Sequence, residues 1–153
     1  QSSFEFCAKL TQFIFPPNLL VIERNAFTDC LVLTTIEIPN SVETIQREAF
    51  KGCTNLRNAF LPQNLKVLEE STFMNCSSLE QVLFIQPSLL TSIKDNAFNG
   101  CTNLSQICIP TSVNNIGLNV FENCPSLTEI SISSNLNSEY IQNFPQSVKL
   151  IIV

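Results

Sequence analysis

The chain has 153 residues, enough for one domain with a continuous core, and a composition that is 44% hydrophobic and only 14% charged excludes gross disorder. It holds no histidine, no tryptophan and only 3 glycines, which withdraws the usual residues of general acid/base catalysis, His-ligated metal sites and phosphate-cradling loops. A formal net charge of −5 makes nucleic acid and anionic membranes poor partners, because both need a concentrated basic surface.

No stretch approaches the roughly 18 apolar residues of a spanning helix, so direct membrane insertion is not expected. The opening Gln1-Ser2-Ser3-Phe4-Glu5 has neither the basic start nor the apolar run of a signal peptide, and no initiator methionine. The expectation is a processed chain or, preferably, a fragment of a longer array.

Phe4 begins a series that continues through Phe27, Phe50, Phe73, Phe98, Phe121 and Phe144, with spacings of 23, 23, 23, 25, 23 and 23. A fixed period of this length marks a stacked repeat protein. Three residues after each of the first six stands a cysteine (Cys7, Cys30, Cys53, Cys76, Cys101, Cys124), with Ser147 after the seventh. Three further on comes a leucine column: Leu10, Leu33, Leu56, Leu79, Leu104, Leu127 and Leu150. Alternating apolar pairs follow, such as Ile36/Ile38, Ala59/Leu61, Val82/Phe84, Ile107/Ile109 and Ile130/Ile132, and Pro16, Pro39, Pro62, Pro87 and Pro110 close five units. Two aliphatic columns, Val42/Leu65/Leu90/Val113 and Ile45/Leu68/Ile93/Ile116 with their neighbours, complete each unit.

The alternating pair stopped by proline predicts a short strand, because proline withholds a ladder donor. The Val-x-x-Ile segment predicts a second extended or turn element, and Ala-Phe-x-x-Cys-x-x-Leu a compact helical or 3-10 turn. One such coil cannot bury its apolar columns alone, so successive coils stack and their strands pair in parallel. The predicted architecture is an α/β repeat solenoid of about six coils over 1–153, a single domain.

The pattern Leu33-Thr34-Thr35-Ile36-Glu37-Ile38-Pro39, followed by Val42, Ile45 and Ala49-Phe50-Lys51-Gly52-Cys53, resembles the BspA-like, or Treponema pallidum-type, leucine-rich repeat class. That resemblance implies a right-handed curved solenoid with parallel strands on its concave face. It also implies a non-catalytic adhesion or protein-binding module, at the cell surface or secreted, that engages a protein or glycan. The alternative is a cytoplasmic scaffold or regulatory subunit. The last unit departs from the class: Glu139 takes an aliphatic column, Asn143 the alanine and Ser147 the cysteine.

The six column cysteines read as small buried thiols rather than a metal or redox ladder, since no Cys-x-x-Cys pair exists. In-register parallel side chains seldom satisfy disulfide geometry, so reduced thiols are expected. Cys108 lies between Ile107 and Ile109 and points outward, either as a reactive thiol or as an inert exposed one. Scattered carboxylates such as Glu37, Glu48, Glu70, Glu80 and Glu129 read as a solvated face, and serine lacks a histidine to activate it, so no enzyme and no cofactor are expected.

Solenoids bind with an extended strand surface. Its outward positions here are Ile14, Glu37, Phe60, Leu83, Cys108 and Ser131, flanked by Gln12, Thr35, Asn58, Gln81, Gln106 and Glu129. An apolar stripe at Phe60-Leu83-Cys108 with an amide-rich border is the candidate partner surface. Two residues beyond the 23-residue period fall between Leu79 and Pro87, which predicts a bulge or bend beside Leu83. Asn75-Cys76-Ser77 and Asn103-Leu104-Ser105 match the glycosylation acceptor, and both asparagines should face solvent. The Leu150-to-Val153 strand offers an edge through which two copies of the chain could associate.

Overall fold

The computed structural model describes residues 13–153. In chain order the strands are β1 (Val21–Ile22), β2 (Thr35–Glu37), β3 (Thr44–Ile45), β4 (Asn58–Leu61), β5 (Val67–Leu68) and β6 (Gln81–Phe84), then β7 (Ser92–Ile93), β8 (Gln106–Cys108), β9 (Asn115–Ile116), β10 (Glu129–Ile132) and β11 (Lys149–Ile152). The Val-x-x-Ile segments supply β1, β3, β5, β7 and β9, which pair in parallel as one continuous sheet. The Leu-x-x-Ile-x-Ile segments supply the others. They pair in parallel too, but as two sheets, β2-β4-β6 and β8-β10-β11. The result is a parallel-strand leucine-rich-repeat solenoid of about six coils. Residues 1–12, with Phe4, Cys7, Leu10 and Gln12, lie outside the described residues.

The repeat columns form the core. Phe27, Phe50, Phe73, Phe98, Phe121 and Phe144 are all buried and stack ring on ring at centroid distances of 5.1, 5.4, 5.6, 5.7 and 6.1 Å. The first four rings steps are within 7° of parallel, a consequence of identical rotamers repeated at one rise per coil. The column cysteines lie beside them, equally buried. Each donates its S–H to the phenylalanine carbonyl of the preceding coil: Cys53 to Phe27, Cys76 to Phe50, Cys101 to Phe73 and Cys124 to Phe98, at 3.1 to 3.3 Å. A residue here must be small, apolar and able to donate once, which is why cysteine recurs.

The Ala-Phe-x-x-Cys segments are turns, not helices. Residues two before and two after each phenylalanine sit in the left-handed region: Asn25 and Asp29, Glu48 and Gly52, Ser71 and Asn75, Asn96 and Gly100, Asn119 and Asn123. These are mostly the types that tolerate positive φ. The alternation aims every second N–H along the solenoid axis, so Asn96, Phe98 and Gly100 donate to the carbonyls of Leu118, Val120 and Glu122 in the next coil at 2.9 to 3.0 Å. A third backbone ladder therefore joins the coils on the turn side.

The last coil keeps the phenylalanine but alters the rest. Phe144 stacks on Phe121, tilted by 16°, while Ser138–Asn143 winds into the one 3-10 helix among the described residues. Gln142 and Gln146 stand where earlier coils carry left-handed residues, and the turn ladder stops: the N–H groups of Asn119, Phe121 and Asn123 meet no carbonyl of the next coil. Asn143, in the alanine column, instead turns its Nδ2 to the carbonyl of Ile116 at 2.8 Å and covers the end of β9. Leu150 is not in the leucine column as its spacing predicts. It pairs with Ile130, and Ile152 with Ile132, so the stretch from Phe144 to the strand is three residues shorter than the 9 separating Phe121 from Ile130.

Candidate partner-binding face

The outward positions form two rows across the strands. On β2-β4-β6, Thr35, Asn58 and Gln81 pair side by side, and so do Glu37, Phe60 and Leu83. On β8-β10-β11, Gln106 adjoins Glu129 and Glu129 adjoins Lys149, while Cys108 adjoins Ser131 and Ser131 adjoins Ile151. Ile14, which is 89% exposed, precedes β1 and belongs to no strand. It lines a small cleft with Phe13, Thr35 and Glu37.

The expected Phe60-Leu83-Cys108 stripe is interrupted. Phe60 and Leu83 are direct neighbours, but β6 and β8 share no ladder, so Cys108 begins a second block. Nor does β6 bulge at Leu83: its pairing with β4 runs regularly to Leu61 and Phe84. Ile85 takes the place of the strand-closing proline, and its N–H extends the ladder to the carbonyl of Leu61 at 3.2 Å. The extra residues and Pro87 follow in the connection to β7. The second sheet stays continuous past them while the first opens, because the longer connection lets β6 keep the register of β4 without matching β8.

Two surfaces result. One is apolar: Leu83 is 48% and Ile85 38% exposed, Phe60 is half-buried beside Leu83, and Phe60 and Ile85 line one shallow depression. The other is the breach itself, a cleft of about 670 Å³ walled by Glu80, Gln81 and Leu83 on one side and by Asn103, Ser105, Gln106 and Cys108 on the other, with Glu129 and Ser131 beyond. Glu80 is ion-paired with Arg57 at 3.2 Å and Glu129 with Lys149 at 3.7 Å, all four side chains being exposed enough to make these weak pairs. The sequence reads Glu80 as part of a solvated face, and it singles out neither Ser105 nor Ile85 as a site residue. The replacement of proline by Ile85 is the signal that marked the place.

Asn75 and Asn103 are both exposed, Asn75 in a left-handed turn and Asn103 at the rim of the breach. The thiols divide sharply. Burial raises the Cys76 and Cys101 thiols above the ordinary range, the hydrogen bond to Cys76 and then burial raise Cys53, and burial pushes Cys124 up to about 11. Cys108 is exposed in the breach. Brief treatment of the folded protein with N-ethylmaleimide should therefore label Cys108 while Cys53, Cys76 and Cys101 stay unmodified, as read by peptide mass spectrometry. Equal labelling of Cys76 would contradict the packed column.

Six copies of the BspA type leucine rich repeat region match the chain, over residues 1–89 and 83–152. The chain belongs to the BspA-type leucine-rich repeat family. Among solved structures, this BspA-type array is similar to a leucine rich cell surface protein of Faecalibacterium prausnitzii, at 35% identity and a TM-score of 0.70, covering 78% of this chain and 30% of that one. It is also similar to the leucine-rich repeat protein of T. pallidum, at 27% identity and a TM-score of 0.70, covering 86% and 66%. The fold is shared as well with the pneumococcal vaccine antigen PcpA, at 20% identity and a TM-score of 0.64, covering 78% and 36%. The array thus spans about a third to two thirds of the length of these structures. No curated protein sequence matches it. Among the described residues no helix is long and apolar enough to cross a membrane. Protein binding is what a repeat module of this kind does; its chemistry lies in the presented face.

Proposed function

We infer that this BspA-type array is a non-catalytic binding module of a cell-surface or secreted protein and that it adheres to a protein through the outward strand face. The observation that carries this reading is the exposed apolar group Phe60, Leu83 and Ile85, bordered by Asn58, Gln81 and Gln106. An apolar centre with an amide rim is the composition of a protein contact rather than of ordinary solvated surface. The name of the F. prausnitzii relative, a cell surface protein, supports the location.

The test is binding of the purified chain to immobilised matrix proteins and to a glycan array, against the double variant Phe60→Asp/Leu83→Asp. Loss of a central apolar anchor costs on the order of 2 kcal/mol, so about thirtyfold weaker protein binding is expected, with the melting temperature kept within a few degrees. Retention on glycans alone, or protein binding unchanged by the double variant, would refute the reading.

A further inference from the structure

The breach between β6 and β8 is where the regular main-chain pairing of the strand face fails. On its flanks the ladder is intact: Glu80 N–H donates to the carbonyl of Arg57 at 2.9 Å, and Thr128 N–H to that of Ser105 at 2.9 Å. Across the breach the equivalent bond, from Ser105 N–H to the carbonyl of Glu80, is not made. The N–H groups of Ser105 and Gln106 and the carbonyl of Glu80 face the cleft with no ladder partner. A ligand that displaces water from them must return both donors and acceptors, or lose the hydrogen bonds that water supplied. The formal charges lining the cleft are both negative, on Glu80 and Glu129. Arg57 and Lys149 compensate them from the neighbouring strands, through exposed pairs that exchange at little cost.

We propose that the breach is the specificity-determining point of the strand face, taking an extended segment of a partner protein that lays a lysine or arginine side chain between Glu80 and Glu129. The cation supplies donors for the carboxylates and for the carbonyl of Glu80, its aliphatic stem lies along Leu83, and carbonyls of the partner segment accept from Ser105 and Gln106 N–H. This complementarity favours a cationic peptide over a neutral or acidic one. The proposal rests on the reading of the strand face as the binding surface and adds to it the chemistry of the partner.

The probe is a capped five-residue peptide with arginine at its centre and valine on either side, compared with the same peptide carrying glutamate there, titrated into the 15N-labelled chain. The arginine peptide should shift the amide signals of Ser105, Gln106 and Leu83, bind more weakly as salt is raised, and lose about tenfold in affinity in the double variant Glu80→Gln/Glu129→Gln, the product of two exposed charge pairs. The glutamate peptide should leave those signals in place. Equal binding of both peptides, arginine-peptide binding unaltered by the charge variant, or no binding of either overturns the proposal. If the arginine peptide binds but only Phe60→Asp/Leu83→Asp weakens it, the breach assignment fails while the strand face stands.

Discussion

Raising the pH from about 8 to about 10 is expected to lower the folding stability progressively. An ordinary thiol titrates near 9.0, whereas Cys53, Cys76, Cys101 and Cys124 are all held above that value in the folded chain, Cys124 at about 11. Their stabilising contribution is complete below the unfolded value and disappears as pH rises, because the unfolded chain releases thiol protons that the native chain keeps. Above about 9 a thiol that stays protonated in the folded chain costs at most about 1.4 kcal/mol per pH unit, and the four shifts act in the same direction. Above about 11 Cys124 ionises in the native state and ceases to contribute. Urea midpoints measured at intervals of pH, under reducing conditions, give the slope directly. Replacing Cys76 by serine should flatten the slope, since a hydroxyl can still donate to the Phe50 carbonyl without titrating. Stability constant to about pH 10 would mean that the column is not sealed.

The phenylalanine, cysteine and aliphatic columns were legible because burial imposes them on every coil, and the solenoid, its two strand segments per coil and its inward faces follow from them. The turn conformation was equally written in the chain. The position two after each phenylalanine reads Asp29, Gly52, Asn75, Gly100 and Asn123, all suited to positive φ, yet the short Ala-Phe-x-x-Cys run also fits a helical turn, and periodicity alone does not separate the two. Leu150 departs from its spacing for a physical reason. A residue count carries Leu150 into the leucine column, but strand pairing follows the alternation of Leu150 and Ile152 against Ile130 and Ile132, and the turn before it shortened to allow this.

The candidate face was legible by position but not by continuity. Alternation about Ile107 and Val82 places Cys108 and Leu83 outward, as found. Whether they adjoin depends on main-chain pairing between coils, which side-chain pattern does not encode. The two extra residues announced a local change, and only the course of the chain through Ile85 to Ser92 decides that the strand face, not the second sheet, gives way. Regular coils differ along this face only in their outward side chains, such as Glu37, Phe60 and Leu83, whereas the breach also leaves main-chain groups without ladder partners.

Replacing Phe73 by alanine is expected to cost about 4 kcal/mol. The ring is fully buried and sandwiched between Phe50 at 5.4 Å and Phe98 at 5.6 Å, nearly parallel to both. Its removal leaves a void with stacked neighbours above and below, and neither ring can close the gap without leaving the register that the strand and turn ladders impose on its coil. Phe144→Ala is the informative contrast. That ring has a single stacking neighbour, at 6.1 Å and 16°, and belongs to a coil already released from the turn ladder, so about half the cost is expected. Urea unfolding followed by circular dichroism measures both. The slope with urea should stay the same for Phe144→Ala and fall for Phe73→Ala, because a weakened central coil lets the flanking coils unfold separately in a chain whose contacts run only between neighbours. Equal costs for the two variants would show that the column acts as independent buried rings, and a cost below about 2 kcal/mol at Phe73 would remove the stack from the core's stabilising interactions.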